Sequence, residues 1–326
     1  MAKKFSIEDY LNELYEMGRD GNEEAQLEFI RFIVTETDFP LPDEAAVWLD
    51  SLAEKGNGQA RRCYFTLAMM GDGEDIDWVK LEQWALAMVD ETPGEAYCML
   101  GMLYEPGLPG HDDLKHAVEY FQKAIDCGNT GCAFYLARVY AAHMEELGCT
   151  PEEIRDLLEQ AEPVNPCGQL YSLLAPLCEA LEDYTAAMGY YRKWHRIDPE
   201  DSGCCMGIAR NYAHGTGVKQ DYEIALRYYQ KAANLDEPEA LHMVGAFYYE
   251  GLGARRNYKR ALDFFLRAYD MGYSRSAYFL GLIYLRGLAG LPDKEKGMQY
   301  LQACAEEGHA DSIAALEELR AEEQGA

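Results

Sequence analysis

Arg138 and Arg210 hold the same place in two copies of a recurring phrase, two copies apart. A guanidinium is planar, always charged and able to grip a carboxylate through two parallel hydrogen bonds, so two of them in register are the first candidates for chemistry here. On the same helix faces, turned away from the apolar stripe of each copy, stand Phe134, Met206, His214, His242, Tyr249, Glu250, Tyr278 and Arg286. Arg62, Thr66, Met69, Met70, Cys98 and Met102 hold the equivalent places in earlier copies. Aromatic, methionine, arginine and histidine side chains together are the mixture a peptide-binding surface uses. The competing reading is that the arginines merely neutralise an acidic scaffold.

Other constellations carry less. His111, Asp112, Asp113, His116 and Glu119 form a mixed cluster in which Asp112 and His116 are one helical turn apart. That spacing permits a divalent ion, but nothing else recommends one. The acidic run 72–77 lacks the sixth-position glycine and twelfth-position glutamate of a calcium loop, and reads as a turn followed by a helix cap. Glycine-rich stretches at 107–110, 215–217, 251–253 and 287–290 are not followed by Gly-Lys-Ser/Thr and read as turns. His195, His214 and His242 each stand alone and read as surface or satisfied core residues. His-Glu-x-x-His, Ser-x-x-Lys, Gly-x-Ser-x-Gly and Cys-x-x-Cys are all absent. No catalytic residue, metal ligand or cofactor is therefore assigned.

Charge narrows the partners. With 57 acidic against 29 basic residues the 326-residue chain carries a formal charge of -28. Phosphate backbones and anionic lipid surfaces need a positive face, so nucleic acid and membrane are excluded as partners, and self-repulsion favours a monomer. The basic cluster Arg255, Arg256, Lys259 and Arg260 reads as a solvated helix start. No apolar run approaches the ~20 residues that span a bilayer. The ten cysteines recur at no fixed offset, which writes no disulfide ladder. With Lys3 and Lys4 directly after Met1 and no signal peptide, reduced thiols in a cytoplasm are expected.

These side chains need something to hold them in register. The phrase Ala-x-x-x-Leu-Gly-x-x-Tyr spans Ala96 to Tyr104 and returns, with variations, at Cys132 to Tyr140, Cys204 to Tyr212, Ala240 to Tyr248 and Ser276 to Tyr284. Its fifth position, taken as zero, falls on Leu100, Leu136, Ile208, Val244 and Leu280, separated by multiples of 36 residues. Such a period means stacked copies of one small unit. Apolar or small residues at -4, 0, +1 and +4 lie on one side of a helix. The residue at +1 is small (Gly101, Ala137, Ala209, Gly245, Gly281). Glycine inside a helix costs ~1 kcal/mol against alanine, so close approach of another helix is the expected cause. After the glycine turn a second helix carries small residues at +17 and +24 and aromatics at +20: Tyr120, Tyr228, Phe264 and Tyr300. The pattern predicts eight or nine helix pairs, with a slip in register between His143 and Gly168 and an irregularity near 163–166.

These residues resemble the Sel-1-like repeat family, a relative of the tetratricopeptide repeat. Ile208 to Ala233 carries its pattern through Gly215, Gly217, Val218, Asp221, Ala225, Tyr228, Tyr229, Lys231, Ala232 and Ala233. The match is close over 96–128 and 203–308, and looser over 25–93. The unit from 174 to 199 is nearer the tetratricopeptide pattern. The resemblance implies an all-α fold, a right-handed α/α superhelical solenoid in which the first helix of each pair lines a concave groove. It places a capping helix at 1–21, repeats at 22–142, an irregular and tetratricopeptide-like stretch at 143–200, repeats at 201–309 and a C-terminal capping helix at 310–326. It further implies a non-enzymatic adaptor, often bacterial, that binds a protein or peptide in the groove through the ten residues above. The alternative is a small-molecule-binding or hydrolytic relative of the β-lactamase-like type. Those relatives carry one disulfide per repeat, a pattern this chain departs from.

Overall fold

A computed structural model describes residues 7–37, 39–70, 77–106 and 113–325, with side chains to 321. Ser6, residues 71–76 and the His111–Asp112 part of the mixed cluster lie outside the described residues. All regular structure among the described residues is helical. The chain divides into two compact units, Met1–Gly148 and Cys149–Ala326.

The first unit contains α1 (Ile7–Arg19), α2 (Glu23–Glu36), α3 (Asp43–Glu54), α4 (Gly58–Met70), α5 (Trp78–Ala87), α6 (Pro93–Leu103), α7 (Leu114–Asp126), α8 (Cys132–Ala142) and the single turn α9 (Met144–Leu147). The second contains α10 (Pro151–Ala161), α11 (Gly168–Ala180), α12 (Tyr184–Ile197), α13 (Ser202–His214), α14 (Tyr222–Ala233), α15 (Pro238–Glu250), α16 (Tyr258–Asp270), α17 (Ser276–Arg286), α18 (Lys294–Glu306) and α19 (Ala310–Gly325). The repeating pairs are α2/α3, α4/α5 and α6/α7, then α11/α12, α13/α14, α15/α16 and α17/α18. Each packs on its neighbours in sequence, the signature of a solenoid. Between these two sets in sequence stand α8, which ends the first unit with α9, and α10, which opens the second.

From α6/α7 onward the pairs close by the same means, whereas α3 starts on Pro42 with no side-chain cap. The second helix starts on an aspartate or asparagine whose side chain accepts from backbone N–H groups of its first turn: Asp113, Asp183, Asp221, Asn257 and Asp293. In four pairs the backbone N–H of that cap also donates to the carbonyl of the phrase's tyrosine: Asp113 to Tyr104, Asp221 to Tyr212, Asn257 to Tyr248 and Asp293 to Tyr284, at 2.9–3.3 Å. The tyrosine rings lie against the +20 aromatics, as in Tyr248–Phe264 (5.9 Å) and Tyr284–Tyr300 (5.7 Å), both stacked. The small +1 residue makes room within its own pair. A β-carbon on Gly101 would lie 2.5 Å from the Phe121 ring, and one on Gly245 would lie 2.9 Å from Phe265. Phe121, Phe265 and Leu301, the +21 residues, are fully buried. The sequence pattern pointed to +20 as the packing aromatic, but +21 is the residue that fills the gap.

Between pairs, the second glycine of the turn is the contact. Gly217 and Gly253 both have φ near +65°, and a β-carbon on either would collide with the carbonyl of the residue opening the preceding pair's second helix, Tyr184 or Tyr222. Only glycine meets both conditions. The last helix keeps the register: Ser312 and Leu316 of α19 stand one period after Ser276 and Leu280 and are likewise buried.

The thiols depart from expectation at one place. Cys98 and Cys132 form a disulfide with Cα atoms 6.1 Å apart, joining α6 to α8 across successive copies. Their separation of 34 falls two short of the period, so no recurring offset advertises it. The other eight cysteines form no disulfide.

Candidate functional site

In the first unit, α4, α6 and α8 place side by side the faces that the repeat turns away from its second helices. They leave a cleft of about 330 Å³ lined by Arg62, Phe65, Thr66, Met69, Met70, Glu95, Cys98, Met99, Met102, Asn129 and Tyr135. Six of these, Arg62, Thr66, Met69, Met70, Cys98 and Met102, are positions the period assigns to the groove. The lining is mainly apolar, and four thioethers make it polarizable and adaptable. Its polar edge is fixed from within: Arg62 is ion-paired with Glu95, and the Asn129 amide donates to the Gly94 carbonyl at 3.0 Å. The Arg138 guanidinium sits 5.6 Å above the Tyr135 ring at the cleft's border.

The two arginines that share a repeat position share a partner position too. Arg138 reaches both carboxylate oxygens of Glu105 at 2.7 Å, and Arg210 reaches Glu179 at 3.1 Å. Glu105 and Glu179 stand at +5 of the phrase in the preceding copy (Glu179 counted from Leu174), so each bridge ties one first helix to the next. Both carboxylates are mostly shielded, at 19% and 18% side-chain exposure. Glu179 also accepts from the Asn211 amide at 2.5 Å and the Tyr191 hydroxyl at 3.1 Å. The carboxylate that these arginines grip is thus supplied by the chain itself.

The remaining groove candidates separate. Phe134 (4% exposed) and Met206 (9%) are buried and present nothing to a ligand, a correction to the sequence reading. At -2 the helix is packed on both flanks: residues 132–134 of α8 and 204–209 of α13 are buried without interruption. His242 lies among the rings of Phe265, Tyr273 and Phe279, with centroids 5.0–5.6 Å away, and is hydrogen-bonded to the Ser276 hydroxyl at 3.0 Å. Burial, assisted by the Arg275 charge, lowers its pKa to about 4. Tyr249 and Tyr278 pack edge-on against Phe279 at the half-buried border of this cluster. His214 and Glu250 are exposed in the last turns of α13 and α15, and Arg256 donates to the Glu250 carbonyl. Arg286 lines a different cleft of about 500 Å³ with Leu282, Leu285, Lys294 and Glu318, between α17 and α19.

The rejected motifs have structural duties. Asp113 caps α7 and binds the His116 ring at 2.7 Å, the contact that chiefly holds its carboxyl below the usual range. Asp77 caps α5. Arg260 donates to the Tyr248 hydroxyl at 3.0 Å.

Residues 94–129, 203–237, 238–273 and 274–309 each match the Sel1 repeat. The chain carries four Sel1 repeats. One lies in the first unit, over α6 and α7, and three lie in the second, over α13 to α18. Among solved structures, the Sel1-repeat fold aligns with c5321, described as a protective antigen present in uropathogenic Escherichia coli strains and displaying an SLR fold (TM-score 0.75, 23% identity). The alignment covers 94% of this chain and 66% of that one, so this chain spans just under two thirds of that protein's length. A Sel1 repeat protein from Oxalobacter formigenes aligns with a TM-score of 0.57 and 20% identity, over 95% of this chain and 90% of the other. At these identities the likeness fixes the fold. No curated protein matches the sequence. No helix among the described residues is long and apolar enough to cross a membrane.

Proposed function

We propose that this Sel1-repeat chain is a non-enzymatic scaffold that binds a peptide or an extended segment of a partner protein in the methionine-lined cleft of its first unit. The observation that carries this is the convergence of Met69, Met70 and Met102 on one open cleft, floored by the buried Phe65 and Met99 and bordered by the Arg62–Glu95 pair. Flexible thioethers accommodate varied apolar side chains, while the charged border orients a backbone. The cysteine of the cleft is engaged in the disulfide, and its threonine hydroxyl donates to the Arg62 carbonyl. A charge of -28 directs the surface toward partners that carry basic residues beside their apolar anchors.

A peptide array probed with the wild-type chain and with Met102→Lys tests this. Met102 is only half-buried, so a lysine there reaches solvent while placing a cation in the cleft. Captured peptides should weaken by about tenfold or more, as at a buried interface anchor. Identical capture profiles would show that binding lies elsewhere.

A further inference from the structure

Three soft or borderline donors converge in the second unit, apart from the cleft and from both arginine bridges. His195 stands in the last turn of α12; Cys204 and Cys205 stand in the first turn of α13, and both thiols are fully buried. His195 Nδ1 lies 3.5 Å from Cys204 Sγ and 3.9 Å from Cys205 Sγ, and all three donor atoms lie within 4.8 Å of one another. Tetrahedral zinc with bonds of ~2.3 Å to sulfur and ~2.0–2.1 Å to nitrogen holds S and N about 3.5 Å apart and two sulfurs about 3.8 Å apart. The nitrogen–sulfur distance to Cys204 already matches that set, and the one to Cys205 is about 0.4 Å longer.

Packing at these two places does not require sulfur. Cys204 occupies the -4 position, which is alanine in Ala60, Ala96 and Ala240, and Cys205 occupies -3, which is alanine in Ala133 and Ala277. Alanine serves at either place in those copies, and this copy alone pairs two thiols there with a histidine from the preceding pair. The connection over the cluster is open: Asp198, Pro199 and Glu200 are exposed, so an ion has a short path in and two carboxylates to attract it. The thiols lie within reach of main-chain carbonyls of this connection, Cys204 Sγ being 3.2 Å from Asp201 O and 3.6 Å from Asp198 O.

We propose that His195 Nδ1, Cys204 Sγ and Cys205 Sγ bind a thiophilic d10 metal ion, Zn2+ or Cu+, as two thiolates and one imidazole, with a further position left to a carbonyl of the 198–201 connection or to solvent. Binding releases the thiol protons. It leaves the imidazole proton on Nε2, so Lys231, whose Nζ is 3.2 Å from Nε2, swings into the solvent it already faces. Two thiolates neutralise a divalent ion outright, which keeps the buried charge cost low; with a monovalent ion the site carries one negative charge.

The test is anaerobic titration of the full chain with Zn2+ against a chromophoric chelator, and separately with Cu+ against a Cu+ chelator, with Cd2+ as a probe of sulfur-to-metal charge transfer. Wild type should bind one ion more than the Cys204→Ala/Cys205→Ala double variant and show a charge-transfer band that the variant lacks. Replacement of the imidazole by His195→Phe should lower affinity by about tenfold or more. The double variant restores residues native to sister copies, so it should keep the helical content of wild type, which circular dichroism checks. Preference for one ion in the two titrations identifies the metal. Equal stoichiometry and spectra for wild type and the double variant, or no wild-type uptake of either ion, overturns the site.

Discussion

Arg210 donates to Glu179 at 3.1 Å, joining the first helices of two successive pairs, and Arg138, two periods earlier in the sequence, makes the same kind of bond with Glu105. Glu179 is the centre of its network, because Asn211 is fully buried and the Tyr191 hydroxyl also points at this carboxylate. Glu179→Ala leaves those two donors without their acceptor and should destabilise the second unit by about 2–3 kcal/mol. Arg210→Ala removes a half-exposed partner and should cost under about 1 kcal/mol. Chemical denaturation of the two variants, followed by hydrogen exchange in α11 and α13, checks the ordering; equal losses would show that the ion pair itself dominates.

Gly245→Leu tests the close approach inside a pair. Phe265 is fully buried against Gly245, with no room for a larger side chain. Overpacking should cost about 1–3 kcal/mol. Stability in a repeat stack is a sum of neighbour terms, so protection against hydrogen exchange should fall in α15 and α16 first and in adjoining pairs next. Uniform loss over the whole chain would contradict this.

His242 gives the second unit a defined pH response. Its pKa in the fold, about 4, lies below the 6.5 of an exposed imidazole, so between these values the unfolded chain holds a proton that the fold excludes. Stability from this residue is therefore full above pH ~6.5 and falls as pH drops toward 4, by on the order of 3 kcal/mol in all. Unfolding measured from pH 7 to 4 should show this slope in wild type and a flatter one in His242→Phe. The same slope in both would remove His242 as its source.

The disulfide of the first unit makes a countable prediction. Thiol titration of the unfolded, unreduced chain should find eight reactive groups, and ten after reduction. Closing a loop of 34 residues restricts the unfolded chain, so Cys98→Ser/Cys132→Ser should lower the first unit's stability by about 4 kcal/mol and leave the second unchanged.

The helix pairs were readable because each rests on recurring residues, the tyrosine at +4, the small residue at +1 and the glycine turn, whereas the cap at +13 and the joints between pairs emerged only in the fold. The cleft was half readable. Met69, Met70 and Met102 follow from the period, whereas Phe65, Met99 and Asn129 enter it through the lateral packing of α4, α6 and α8, which no single copy encodes. Phe134 and Met206 misled because a helix in a stack is covered on two flanks, leaving a narrower free face than an amphipathic helix on a globular core. Arg138 and Arg210 looked available because their partners lie 33 and 31 residues upstream, close to one period but offset along the helix. His195 looked solitary because Cys204 and Cys205 approach it only through the fold.

The collision that bars any side chain from Gly217 and Gly253 also sets a rule for growth. Each of these glycines meets the start of the helix behind it, and Tyr184 and Tyr222 offer the same start. Inserting or excising a whole period therefore recreates the joint without remnant, while a gain or loss of a few residues strands one glycine against the wrong backbone atom. Lineages of this architecture should differ in length by complete copies, and an engineer wishing to lengthen the binding face should add residues thirty-six at a time.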